Sequence, residues 1–282
     1  MMKKTNNKEK VNLIGIFAMI ILIGLTIFFL FPFYWILTGS FKLQEVAISM
    51  PPEWFPMSPT LTNYKELFVP LTGRWFFNSV FVSTATTILV CVTASLSGYA
   101  LAKKKFFGVN FIFMLFVAAM ALPKQVILIP LLKFITELGL MDSYAALILP
   151  AVGWPFGVFL MKQFSHSVPK ELLESARIDG CGELRTFVSI VLPIIKPGVG
   201  ALAIFTFISS WNDYFSQLIF TNSENMKTLP LGLAAMSQGA EFTINYGLLM
   251  AGALLASLPM IVVFLLFQSY FTQGVTMGAV KG

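Results

Sequence analysis

Charge is what this 282-residue chain has least of. Asp, Glu, Lys and Arg make up 11% of it, less than half of the roughly 25% typical of a soluble globular domain. Histidine is almost missing: His166 is alone, in a basic stretch, and no general-base or metal constellation can be built around it. The two cysteines, Cys91 and Cys181, have neither CxxC spacing nor a nearby histidine, which excludes a disulfide framework and a zinc site. No Gly-Lys dipeptide occurs anywhere, so a phosphate loop of the G-x-x-x-x-G-K-[ST] type is excluded too. What fills the chain instead is apolar: 57% by the AVILMFWYC count, 15% aromatic, 29 phenylalanines and a mean hydropathy of +0.80. A water-soluble fold of this size has no interior that could hide such an excess, so the chain reads as a membrane protein. Its net charge of +6 does not argue for nucleic acid, because cytoplasmic loops of membrane proteins collect Lys and Arg. The 14 methionines read as gap-filling or lipid-facing residues, not a metal path.

Uncharged runs mark the spans: Val11–Phe41, Trp75–Ala102, Phe106–Pro123, Ser143–Met161, Pro197–Ser223 (with one acid, Asp213) and Phe242–Val280. A helix needs about 20 apolar residues to cross the hydrocarbon core, which predicts six spans near 13–36, 77–101, 108–128, 143–161, 198–220 and 247–268 of one transmembrane domain covering 1–282. The first run follows Lys3 and Lys4 but is too long for a signal peptide and lacks a small-x-small cleavage site, so it reads as a retained span. With both termini in the cytoplasm, 13 of the 19 Lys and Arg fall inside and six outside, as the positive-inside rule favours. Lys103–Lys105 then serve as topology determinants near anionic headgroups. Residues 42–74, rich in proline, predict an extended surface segment. Residues 124–142 carry apolar spacing closer to helical and predict a short helix at the outer interface. Gly98, Gly247 and Gly252 fit close helix approach.

The segment 165–197 has helix signals throughout. Pro169 suits a first helical turn, and Glu171 follows near the positive end of the helix dipole. Leu172, Leu173 and Ala176 form an apolar patch that would face water unless a partner covered it; Glu174 and Arg177 stand at pairing distance i, i+3. Gly180 and Gly182 end that helix. Leu184, Phe187, Val188 and Val191 then repeat at i, i+3, i+4, i+7, predicting a second helix that Pro193 and Pro197 stop. Such a helix–Gly turn–helix unit suits docking into a groove on another protein.

Glu174-Ser175-Ala176, three residues, Gly180, nine residues, then Ile190-x-Leu192-Pro193 resembles the signature loop of ABC importer permeases, written Glu-Ala-Ala, x3, Gly, x9, Ile-x-Leu-Pro. Only Ser175 departs from it, and serine is also small. Pro169–Leu172, Ala176–Gly180 with Asp179, Trp211-Asn212-Asp213, Thr60–Tyr64 and the ending Gly278–Gly282 are similar to the carbohydrate-uptake, maltose-type, binding-protein-dependent branch. The resemblance implies an all-α integral membrane protein of the type I importer permease kind, with Glu174, Ser175, Ala176, Asp179, Gly180, Ile190, Leu192 and Pro193 coupling to an ATPase. It implies a second homologous permease chain, a two-copy cytoplasmic ATPase and an extracellular solute-binding protein as partners. It implies a bacterial inner membrane as the location and a sugar as the substrate. It implies that ATP and Mg belong to the ATPase and that this chain, not an enzyme, binds no cofactor.

Asp213 is the one acid inside a span, which makes it a candidate for function. It either accepts hydrogen bonds from sugar hydroxyls or bonds locally for structure. With Asn212 it joins Trp211 and Tyr214, which either stack on a sugar face or anchor at the interface. A permease for another solute, such as glycerol phosphate or a polyamine, is the alternative. A proton-driven secondary transporter would want a buried acid–base relay, for which the sequence offers a single Asp.

Overall fold

The computed structural model describes residues 13–237 and 244–279, and every regular element among them is helical. In chain order these are α1 (Leu13–Gly39), α2 (Gln44–Ala47), α3 (Thr62–Leu67), α4 (Pro70–Lys103), α5 (Val109–Ala119), α6 (Lys124–Glu137), α7 (Tyr144–Ile148) and α8 (Pro155–His166). There follow α9 (Lys170–Ile178), α10 (Glu183–Thr186), α11 (Leu192–Ile194), α12 (Lys196–Trp211), α13 (Phe215–Phe220), α14 (Leu229–Ser237) and α15 (Tyr246–Ala279). Three of these are long and apolar enough to cross a membrane, and three bent pairs pass the same test together, giving up to six spans if each pair is one. Lys3, Lys4, Lys8, Lys10 and Lys281, on which the placing of the termini rests, lie outside the described residues, as does the end of the Gly278–Gly282 motif.

Three of the runs read as spans are interrupted in the structure. The run read as 108–128 turns by 106° between Ala119 and Lys124. Pro123, which lacks an amide hydrogen, takes an extended conformation there (φ −61°, ψ 132°) and caps the next helix instead of continuing the last. The run read as 143–161 bends by 44° between Ala151 and Pro155. The run read as 198–220 stops at Trp211 and resumes at Phe215. The proline-rich segment 42–74 is less extended than expected. It contains α2 and α3, and Pro70 opens α4, where its fixed φ is preorganised for a first turn.

The described residues form two compact units, 13–67 with 244–255, and 68–237 with 256–279. In the first, Asn63 is buried and donates to the carbonyls of Ser40 and Lys42 at 2.9 and 2.8 Å, while Tyr64 meets the Ser40 hydroxyl at 2.8 Å. The Asn-Tyr pair thus clamps α3 to the end of α1. A Cβ on Gly247 would lie 2.7 Å from both Asn63 Nδ2 and the Lys42 carbonyl, which is the close approach expected of it. Gln44 grips the chain entering α15, donating to Ile244 and accepting from the Tyr246 amide.

In the second unit α4, α8 and α12 pack around Val90, Ala94, Tyr99, Val158, Met161, Val191 and Leu202. A Cβ on Gly98 would sit 2.6 Å from the backbone at Met161 and Lys162, and one on Gly198 2.4 Å from the Phe164 ring. Absent side chains let backbone meet backbone at Gly98 and let the Phe164 ring lie on Gly198, the usual device where lipid supplies no hydrophobic drive. The segment after α13 is tied to α4. Asn78 donates to the carbonyls of Asn225 and Lys227, both at 2.8 Å, and Trp75 donates to that of Glu224 at 2.8 Å. Asp142, at φ 58°, accepts from the amides of Asn222 and Ser223 at 2.9 and 3.0 Å.

Candidate functional site

Two features of the second unit stand out, and the first is the loop between α8 and α12. Pro169 caps α9, Glu171 lies in its first turn and Arg177 in its last, so the charges suit the helix dipole. The helix ends at Gly180, whose φ is +74°. The Cys181 amide reaches back to the Ala176 carbonyl at 2.9 Å, the six-to-one bond of a Schellman ending. Gly182 is extended and caps α10. The second helix is short. After Thr186 the chain makes a π turn over Phe187–Val191 before α11, and the extra residue in that turn rotates the face that follows. Phe187 and Val191 are therefore buried while Leu184 and Val188, expected on the same stripe, are exposed.

The first helix also differs from expectation. Ala176 is buried against the chain's own core and Leu173 packs beside it, leaving Leu172 with Ile178 (87% exposed) and Leu184 (68%) on the outer side. Glu174, Ser175, Asp179 and Pro193 are exposed, and Ile190 and Leu192 half-buried. Arg177 pairs across the glycine turn with Glu183 at 3.6 Å, not with Glu174. Glu183 is bonded to Lys104 as well, and Tyr99 donates to it at 3.4 Å. The Lys104 ammonium first, then Arg177, holds the Glu183 carboxyl below its ordinary range. Lys103 donates to the carbonyls of His166 and Val168 at 3.0 and 2.6 Å, closing the end of α8. Two of the three lysines read as topology determinants are thus fastened to the loop and its approach.

The second feature is a cavity of about 350 Å³ among α4, α5, α6, α8, α12 and α13. Asp213 lines it from the break between α12 and α13, and so does Lys124, the first residue of α6, its Nζ 2.6 Å from Asp213 Oδ2. Asp213 Oδ1 accepts the Ser216 amide at 3.2 Å. Sequence reasoning missed Lys124, which stands 89 positions away along the chain. The other residues paired with Asp213 in the sequence lie elsewhere. Trp211 is buried between Phe76 and Phe207 and donates to the Ala256 carbonyl at 3.1 Å. Asn212 turns to the Ile208 carbonyl and Met260, and Tyr214 lies edge-on to Phe215. None of these three lines the cavity, so in this conformation Trp211 and Tyr214 offer no stacking face there.

Apolar helices around a cavity that is largely apolar but holds an ion pair and several hydroxyls, with an amphipathic loop beside them, make the architecture of a membrane transport permease. The chain belongs to the family of binding-protein-dependent transport system inner membrane components, which it matches over residues 92–277. It is 39% identical over 264 residues to the arabinooligosaccharides transport system permease protein AraQ of Bacillus subtilis, covering 92% of each chain. It is 31% identical over 259 residues to the trehalose/maltose transport system permease protein MalG of Thermococcus litoralis, covering 90% of this chain and 92% of that one. In fold it is similar to a chain of a bacterial ABC transporter involved in the import of the acidic polysaccharide alginate. The TM-score is 0.76 at 20% identity, over 92% of this chain and 96% of that one.

Proposed function

We propose that this chain is the permease subunit of an ATP-driven sugar importer, forming half of a translocation path whose solute is a neutral mono- or oligosaccharide. It crosses the inner membrane six times, with the 169–193 loop and both termini in the cytoplasm. It works beside a second homologous permease chain, above a two-copy ATPase that carries ATP and Mg, and below an extracellular solute-binding protein. The observation that carries this reading is the 169–193 loop: one side is seated on the core through Ala176, Phe187 and Val191, while Leu172, Glu174, Ile178 and Leu184 are left outward. A rigidly seated loop with an apolar and acidic outer face can pass a push from an ATPase to α4 and α12. The sugar assignment is supported by the transport names borne by relatives that match at nearly full length. In the cavity, Asp213 and Lys124 cancel in charge, which suits a neutral solute better than glycerol phosphate.

The test is reconstitution with a partner permease, ATPase and binding protein. Glu174→Lys reverses a contact worth about 1.5–3 kcal/mol when desolvated, and Gly180→Val puts a branched side chain at a left-handed position. Both are expected to leave membrane insertion intact and to lower ATPase association, stimulated ATP turnover, or both. Wild-type association and turnover in both variants would remove the loop from the coupling role. Uptake of sugar phosphates in preference to neutral sugars would favour the other solute class.

A further inference from the structure

The cavity wall carries one full charge of each sign in contact, Lys124 with its side chain 59% exposed and Asp213 with 19%. Around them stand the hydroxyls of Thr86, Thr206, Ser209, Ser210 and Ser216. Thr206 donates to the Leu202 carbonyl of its own helix at 2.8 Å. The Thr86 hydroxyl is buried and, among the described residues, has no hydrogen-bond partner. The volume, about 350 Å³, stands at the small end of ligand sites, with room for one small ring and not for a chain of them.

A carboxylate only accepts hydrogen bonds and an ammonium only donates them, whereas a hydroxyl does both. Two neighbouring hydroxyls of a sugar ring can therefore lie across the pair, one donating to Asp213 and the other accepting from Lys124. A carboxylate on the ring that approached Lys124 would meet Asp213 at nearly the same distance, and an amine approaching Asp213 would meet Lys124. Like charges so placed are strongly disfavoured. We propose that the Lys124–Asp213 pair is a specificity-determining element that accepts an uncharged polyhydroxy ring and rejects acidic and amino forms of the same ring. Asp213 excludes the acid and Lys124 excludes the amine. This rests on the reading of the cavity as part of a sugar path.

The assembled importer in nanodiscs, without binding protein, is offered galactose, galacturonate and galactosamine at mildly acidic pH, where the amine is charged. Saturation-transfer NMR reads the saccharide signal that is lost in a Ser210→Trp complex, in which the cavity is filled. Wild type should favour galactose over either charged ring by roughly tenfold. Asp213→Asn should shift the preference to galacturonate and Lys124→Gln to galactosamine, with complex assembly checked by gel filtration for each. The same order of preference in all three complexes overturns the proposal. So does a wild-type complex that drives saccharide uptake in proteoliposomes supplied with the binding protein yet shows no cavity signal in nanodiscs with any ring. A wild-type complex that takes up no saccharide at all defeats the sugar reading instead.

Discussion

At the scale of single residues, the sharpest constraints fall where a side chain is missing or a carboxylate is held by amides. Gly98 lets α4 touch the backbone of α8, and any Cβ there meets atoms at 2.6 Å that cannot rotate away. Gly98→Val is expected to cost at least about 1–3 kcal/mol, read as a lowered thermal midpoint of the detergent-purified protein. Gly73→Ala, where a Cβ meets nothing within 4 Å, should leave that midpoint in place. Asp142 makes a prediction about pH. The Ser223 amide, then that of Asn222, pulls its carboxyl below the ordinary value, so the ionised form stabilises the loop above the unfolded value, about 3.9. That contribution fades as pH falls through the lower folded value. Amide exchange at Asn222 and Ser223 should be insensitive to pH-linked loosening near neutrality and should accelerate below about pH 4 beyond the intrinsic trend. In Asp142→Ala the loosening should already be present at neutral pH.

At the scale of elements, the glycine-hinged loop was legible because its signals are local. Gly180 must adopt positive φ, and the residues that flank it, Glu171 and Arg177, sit where a helix dipole wants them. What stayed hidden depends on contacts distant in sequence. Nothing near Glu174 says that Arg177 will prefer Glu183 across the turn, and nothing near Asp213 names Lys124 as its partner. The 106° bend was hidden for another reason. Absence of charge over Phe106–Pro123 reports on the solvent of a helix, not on its straightness, and Pro123 was the signal that could have shown the break. The π turn at Phe187–Val191 has no sequence mark at all, so the stripe through Leu184 and Val188 pointed the wrong way. Glu183 gives this element its own prediction. Its pairs are exposed and worth at most about 1 kcal/mol in stability, yet they join α9, the turn and the end of α4. Glu183→Lys should speed amide exchange over 177–186 with little change in thermal midpoint, and adding Lys104→Glu should slow it again.

At the scale of the whole molecule, α1 alone settles the solvent. Within Gly15–Gly39 a stretch of 18 residues has a mean hydropathy of 2.7 and none of it is buried within the chain, a surface that only lipid or another apolar protein can cover. The orientation argued from Lys and Arg can be checked with single cysteines at Ser58 and Ser189, both exposed, after replacing Cys91 and Cys181. An impermeant thiol reagent should label position 58 in intact cells and position 189 only after permeabilisation; labelling of 189 in intact cells would invert the topology. The loop described above divides its labour between two sets of residues. Ala176, Phe187 and Val191 hold it to the core, whereas Leu172, Ile178 and Leu184 look away from it. Mutation can therefore redraw the outward set without disturbing the inward one, so the outer surface of the loop is free to change while the fold stays fixed.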